Sequence, residues 1–453
     1  MIFLILLLSC SLAPSQSAYE AIHIRQDEIG FGSRTLAMGG NGVGSATDYT
    51  AIYWNPAGLA SLKKTQISTE LSHLRFNNNA SFAGHSYDMQ SSFTRFRHFG
   101  IAIPMPTSRG SLVLALGYNF VKDFDDYLYF EGFNTRSNGI EFELEDENGN
   151  YQWYNFDQNI KQSEEVITEG GLHQWSFGGA IALSPSFDVG VTLNFWSGRE
   201  DYQLNYEQVD SENLYNTFPA DYYSYSMHHA LLTNYKAFSL KLGSMFRLNQ
   251  ITRFGLTVEF PATFTVTEDY TSSDELVFDD GYVDALEYEP SIWEYQVKTP
   301  FRFDTGIGLD LENIDLTAGI RYQDWSQTRF QKPENVPYDA DYQDLLNENK
   351  ALQRDYRETL NYYLGGELAF PNSNLYLRAG YAYFPSPLKN ARSEMDKQTY
   401  AAGLGFKLSY NTFLDLTYRR SSWNRESEDI YTPGGTLEKI IENRIFLGVR
   451  YNF

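Results

Sequence analysis

The sequence predicts an all-β protein: a transmembrane antiparallel β-barrel of about fourteen strands with an N-terminal plug inside the lumen. Three observations carry that expectation. Tyr (34), Phe (32) and Trp (7) make up 16% of the 453 residues and Gly adds 34, yet there is no run of about 18 apolar residues to form a membrane-crossing helix. From Lys64 onward, short segments alternate with period 2, apolar on one face and charged or glycine-bearing on the other. The connections between those segments alternate short and long, as periplasmic turns and extracellular loops do in bacterial outer-membrane barrels. A large soluble β-protein is the competing reading, since sandwiches also alternate.

Charge and cysteine usage narrow the function. There are 58 acidic and 35 basic residues, a net charge of −23, the wrong balance for gripping phosphate backbones. The only cysteine is Cys10. It lies in an N-terminal apolar stretch, residues 2–8, that leads into a small and polar segment, residues 9–18. This reads as a signal peptide over residues 1–18, cleaved between Ser15 and Tyr19. No Lys or Arg precedes the stretch, and Leu7-Leu8-Ser9-Cys10 has some likeness to a lipoprotein cleavage box. Once the stretch is removed no thiol remains, which excludes disulfides, Cys-ligated zinc and thiol nucleophiles.

The strands are expected at 64–76, 91–104, 110–124, 172–184, 187–200, 233–248, 251–265, 297–311, 313–326, 358–370, 374–384, 398–410, 412–424 and 440–453. The last is the cleanest. Ile441, Ile445, Leu447, Val449 and Tyr451 share a face opposite Glu442, Arg444, Gly448 and Arg450. Tyr322, Trp325, Tyr383, Tyr418, Trp423 and Tyr451 fall near strand ends, where an interfacial girdle would place them. An even strand count puts both barrel ends on the periplasmic side. The long loops are 77–90, 125–171, 201–232, 266–296, 327–357, 385–397 and 425–439. They are acidic and Tyr-rich, with a short helix expected at 342–356. Their charges read as a solvated surface, with a divalent-cation site as the sharper alternative.

Residues 19–63 do not alternate. They form a glycine-dense block ahead of the first strand, containing Gly30-Phe31-Gly32-Ser33-Arg34, Met38-Gly39-Gly40 and Ala51-Ile52-Tyr53-Trp54-Asn55-Pro56-Ala57-Gly58-Leu59-Ala60. Its size suits a plug, or hatch, with residues 64–453 forming the barrel. Asn55 can bridge backbone donors and acceptors with its amide. Pro56 fixes φ and steers Asn55 away from helix. Gly39, Gly40 and Gly58 permit close approach to a wall. These residues either fold the plug or take part in gating.

The G-x-R-x-x-x-M-G-G pattern followed by the Asn55-Pro56-Ala57 block resembles the N-terminal hatch of the FadL family (FadL/TodX type) of outer-membrane transporters for hydrophobic compounds. The Phe301–Trp325 hairpin, Leu377-Arg378-Ala379-Gly380-Tyr381-Ala382-Tyr383 and terminal Phe453 are weaker echoes. The resemblance implies a hatch blocking the lumen, a kink in the third strand opening a lateral gap beside the triplet, and passive uptake of hydrophobic small molecules such as long-chain fatty acids. It also implies a monomer in contact with outer-membrane lipid, with no cofactor. Gly117, Tyr118 and Asn119 are the expected kink, because a glycine inside a strand marks a bend. The Tyr-Trp-Asn-Pro-Ala-Gly-Leu form is also similar to PorV-type barrels, which serve protein secretion as attachment or shuttle components. That alternative would recruit a secretion partner through the long loops.

Enzymatic patterns are absent. The segments at 30–33 and 42–45 are not nucleophile elbows, and there is no phosphate-binding loop. The seven histidines make no i, i+4 metal pair, and His228 and His229 point to opposite faces of an extended chain. Asp146 to Asn150 reads as a turn, lacking full calcium-loop spacing. Neither a catalytic nor a metal site is expected.

Overall fold

A computed structural model describes residues 17–453 except 135, 335, 338, 339 and 430. All of the expected signal peptide but Ser17 and Ala18 lies outside the described residues. Fourteen antiparallel strands close into one barrel. They are β1 (Gln66–Phe82), β2 (His85–Met105), β3 (Leu112–Asp123, resumed at Asp126–Asn134), β4 (Ile160–Ser184), β5 (Phe187–Val209), β6 (Tyr222–Arg247), β7 (Thr252–Glu259, resumed at Thr263–Phe278), β8 (Ser291–Lys298, resumed at Arg302–Leu311), β9 (Ile314–Asp324), β10 (Glu358–Phe370), β11 (Leu375–Phe384), β12 (Lys397–Lys407), β13 (Thr412–Ser427) and β14 (Thr436–Asn452). Each pairs with its sequence neighbour, and β14 returns to β1 from Gln66↔Asn452 to Ser81↔Leu437. Closure leaves no unpaired edge in lipid.

The alternation is that of a barrel in a membrane, turned inside out relative to a soluble protein. On β14, Ile445 and Leu447 are exposed on the outer face while Arg444 and Glu438 are buried inside. An outer aromatic belt marks the extracellular membrane boundary. Tyr118, Trp175, Phe195 and Phe238 are direct cross-strand partners on β3 to β6, and the belt continues through Phe260, Phe301, Phe303 and Tyr322 to Tyr381 and Tyr400. Of the aromatics expected in the girdle, Tyr322, Tyr418 and Tyr451 do face outward. Trp325 does not. It is buried, donating from Nε1 to Thr359 Oγ1 at 3.0 Å, and Trp423 lies beneath Lys397 beside a lumenal cavity. A strand end in sequence is not always a strand end at the interface.

Many residues expected in loops are strand. The β1–β2 turn is only Ala83 and Gly84, and β4, β5 and β6 run 25, 23 and 26 residues. Alternation fades in these extensions because water replaces lipid outside and aromatics move inside. On β7 and β8 the change is abrupt. Pro261 and Pro300 lack N–H donors, so the two strands break together at 260–262 and 299–301, stitched by Thr299 N–H to the Ala262 carbonyl at 2.8 Å. Below the break the inward residues are Gly255, Thr257, Glu259, Arg302 and Asp304. Above it they are Phe264, Val266, Tyr295 and Val297, all buried. Polarity reverses where the strands leave the membrane. Helix α4 (Ala340–Asp355), close to the expected 342–356, caps this upper core with Leu345 and Leu352.

Candidate functional site: the N-terminal segment and the β2–β3 seam

Inside the ring of strands lie helices α1 (Ala18–His23), α2 (Ser33–Ala37) and α3 (Ala51–Trp54) and a 3-10 turn at Pro56–Ser61. No single strand could hold so irregular a segment. A belt of inward glycines does. A Cβ built on Gly365 of β10 would lie 2.2 Å from the Met38 carbonyl oxygen, and one on Gly380 of β11 would lie 2.1 Å from Gly39 N. Gly190, Gly243, Gly255, Gly306, Gly319, Gly403 and Gly448 meet other residues of the segment at similar range. Backbone rests on backbone at Gly190, Gly255, Gly306, Gly365 and Gly380, and segment side chains fill the place of a Cβ at Gly243, Gly319, Gly403 and Gly448. Gly39 and Gly40 have φ of +90° and +86°, a region open to glycine but costly for other residues.

Asn55 joins segment to wall. Its Nδ2 donates to the Val43 carbonyl at 2.8 Å and to the Ser244 carbonyl of β6 at 2.9 Å, while Oδ1 accepts from Ala57 N. Pro56 starts the 3-10 turn against Gly190 of β5 and Gly243 of β6. Gly58 packs on the Ala46 carbonyl. Asn55, Pro56, Ala57 and Gly58 are thus brought together, whereas Gly39 sits across the bore at β10 and β11 and Gly40 meets only Leu36 of the segment itself.

Charges fix the segment further. Glu70 of β1 accepts from Gly32 N and from Ser33 N and Oγ at the start of α2. Arg34 reaches Asp315 at 2.7 Å and Glu367 at 2.8 Å. Through Arg378, Asp415 and Arg450 this network returns to Asp48. A second network joins Arg25, Glu28, Arg302, Glu259 and Lys241. Burial pushes the Glu28 carboxyl up, but the Arg25 and Arg302 guanidiniums outweigh it and hold the group well below the usual glutamate range.

The wall also departs from regularity at the β2–β3 seam. The β2–β3 ladder runs from Met105↔Leu112 to His98↔Asn119 and ends there. Arg97 is an extra residue on β2, opposite the step from Glu70 to Leu71, and Val121 is an extra residue on β3, between Phe120 and Lys122. Gly117, Tyr118 and Asn119 lie in regular ladder with both neighbours. The expected kink is therefore displaced to Val121. Gly117 does a different job: with Gly100 it makes room for Tyr49, whose ring occupies the space a Cβ would need. Burial pushes the Tyr49 phenol up, keeping it a neutral donor to Asn119 Oδ1 at 3.1 Å. The freed Val121 carbonyl accepts from both Ile29 N and Gly30 N at 3.0 Å. The seam faces Ile29 to Phe31 and Tyr49, while the Asn55 triplet rests on β5 and β6. The seam does not border the triplet but another part of the segment, because the glycines that admit Asn55 and Pro56 are on β5 and β6. An arginine or a lone valine gives no sequence signal of a bulge, which is why the seam was not legible.

A closed fourteen-stranded barrel, polar inside, belted outside and occupied by its own N-terminus, defines the class of outer-membrane transport proteins. The chain belongs to the outer membrane protein transport protein family (OMPP1/FadL/TodX), whose sequence signature matches residues 154–436. That match starts beyond the N-terminal segment, so it stands apart from the hatch-like motif. No curated protein matches the chain. Solved structures agree on fold. The Pseudomonas putida toluene transporter TodX superposes with a TM-score of 0.59 at 13% identity, covering 94% of this chain and 99% of its own. A Pseudomonas aeruginosa FadL homologue gives 0.55 at 13%, covering 93% and 97%. The Ralstonia pickettii toluene transporter TbuX gives 0.52 at 13%, covering 94% and 99%. The protein is an outer-membrane transport barrel of a family of passive channels for hydrophobic compounds, not of enzymes.

Proposed function

We propose that the protein carries hydrophobic small molecules, long-chain fatty acids among them, into the outer membrane by passive diffusion, with residues 19–63 acting as the hatch. The observation that carries this reading is the β2–β3 seam. There β2 and β3 lose their backbone pairing, the opening starts at the level of the Phe96 and Tyr118 rings of the aromatic belt, and it abuts the hatch. A solute held back by the hatch then has a sideways route into lipid. The apolar core above the membrane, with Phe264, Val266, Tyr295 and Val297 turned inward, supports capture from the outer side. Support for an acid headgroup comes from a lumenal cavity lined by Lys397, Arg419, Ser421, Glu442 and Arg444 beside Asp27, Glu28 and Ile29. There Arg419 Nε has no hydrogen-bond partner, so a single acceptor oxygen entering the cavity would find a cationic donor.

The test is uptake of a fluorescent fatty acid and of toluene into vesicles holding the purified full chain, set beside planar-bilayer conductance with residues 19–63 deleted. Solute-dependent uptake by the full chain and a leaky pore after deletion are expected. Unchanged conductance after deletion removes the hatch assignment.

A further inference from the structure

We infer that the β2–β3 seam is a window barred by two side-chain ion pairs, Arg97–Asp123 and Arg95–Asp125, and that their parting is the step that admits solute to the lipid; this rests on the transport reading above. The window has a sill and a lintel. The sill is the last ladder rung, His98↔Asn119. The lintel is where the resumed part of β3 leans back on the β1–β2 hairpin, with Tyr129 against Tyr87 and Phe130 against Phe82. Between them no backbone hydrogen bond joins β2 to β3. The inner bar runs from Arg97 Nη2 to Asp123 Oδ2 at 2.6 Å, and Arg97 Nε also donates to Ser72 Oγ at 2.7 Å. The outer bar runs from Arg95 Nη2 to Asp125 Oδ1, an oxygen that also accepts from Gly170 N.

Three features make these bars movable. Five buried atoms of the cluster have no partner: Arg95 Nε, Arg97 Nη1, Asp123 Oδ1, Asp125 Oδ2 and Arg444 Nη2. A charged network left half satisfied costs free energy to keep closed. Second, Asp123 has another cation in reach, Arg444 of β14 at 2.8 Å, so it stays paired when Arg97 leaves. Third, Arg95 is partly exposed at 28% of its side chain, where water and salt weaken an ion pair. The hatch touches this same frame through the Val121 carbonyl, which binds Ile29 N and Gly30 N. Displacing that stretch of the segment releases the bulge at Val121, two residues before Asp123.

The experiment measures initial uptake of a dansyl-labelled fatty acid into phosphatidylcholine vesicles holding the full chain. Asp125→Asn and Arg95→Gln are each expected to speed uptake about fivefold, the factor set by loss of a partly exposed ion pair. The exchanged pair Arg95→Asp with Asp125→Arg is expected to return it toward the parent rate. Raising KCl should speed the parent protein and leave Asp125→Asn unmoved. Heat-modifiable mobility on gels checks folding, and if Asp125→Asn fails that check, Arg95→Gln is read by itself. Folded variants with parental rates, or a salt effect that survives in Asp125→Asn, overturn the barred window while transport stands. A parent protein that moves neither fatty acid nor toluene overturns the transport reading itself.

Discussion

Gly365→Ala should unseat the hatch without unfolding the barrel. Gly365 and Gly366 are neighbours on β10 with opposite surroundings. A Cβ on Gly365 would stand 2.2, 2.5 and 2.6 Å from the O, C and Cα atoms of Met38, all hatch backbone. A Cβ on Gly366 would meet Leu316 Cδ2 at 3.2 Å on the outer face, the far end of a flexible side chain. Neither residue has a positive φ, so alanine suits the strand at both. Ordinary contact starts near 3.4 Å, so the hatch must retreat by more than an ångström at Met38. The neighbouring Gly39 is itself hemmed by the Leu364 and Tyr381 carbonyls. Overpacking of this kind costs about 1–3 kcal/mol, which raises the undocked fraction roughly five- to 150-fold. Single-channel conductance and trypsin cleavage within residues 19–63 read that fraction. Both should rise in Gly365→Ala and stay parental in Gly366→Ala. Equal behaviour of the two variants would refute the view that backbone-to-backbone contact seats the hatch.

Asn55→Ala leaves the Val43 and Ser244 carbonyls and Ala57 N–H without their partner. At about 1–3 kcal/mol for each buried group left unsatisfied, it should expose the 3-10 turn to protease more than any neighbouring alanine change. Acid should loosen the hatch through Glu28. Its carboxyl is depressed when docked, so its contribution is complete above the ordinary value of 4.5 and is lost as pH falls through the lower docked value. Trypsin-type sensitivity, read with an acid-active protease, should therefore be flat from neutral pH to about 4.5 and climb below it; Glu28→Gln should lose that pH dependence.

The barrel was legible because lipid imposes its own alternation. On β14, Ile445 and Leu447 had to face outward once Arg444 and Glu438 were to be buried in a polar lumen. The strand count followed from that rule, and it failed only above the aromatic belt, where residues 160–171 and 201–209 are strand but no longer border lipid. The compact, non-alternating N-terminal segment was legible through Asn55 and Pro56, whose backbone chemistry is local. What they contact was not, because Gly190 and Gly243 look like every other strand glycine until the bore is assembled. The seam was hidden for a similar reason. Arg97 and Val121 are bulged by the meeting of three strands and the hatch, and neither residue type announces a bulge.

The glycine belt bears on how the hatch can move. Side chains at an interface yield by changing rotamer, giving a graded response, but peptide planes resting on peptide planes have no such slack. Loading the hatch by degrees would meet a hard wall at Gly365, Gly380 and Gly255 alike. Release is then a snap between two seatings, and recordings from single barrels should show abrupt steps between shut and open levels in place of a continuous creep.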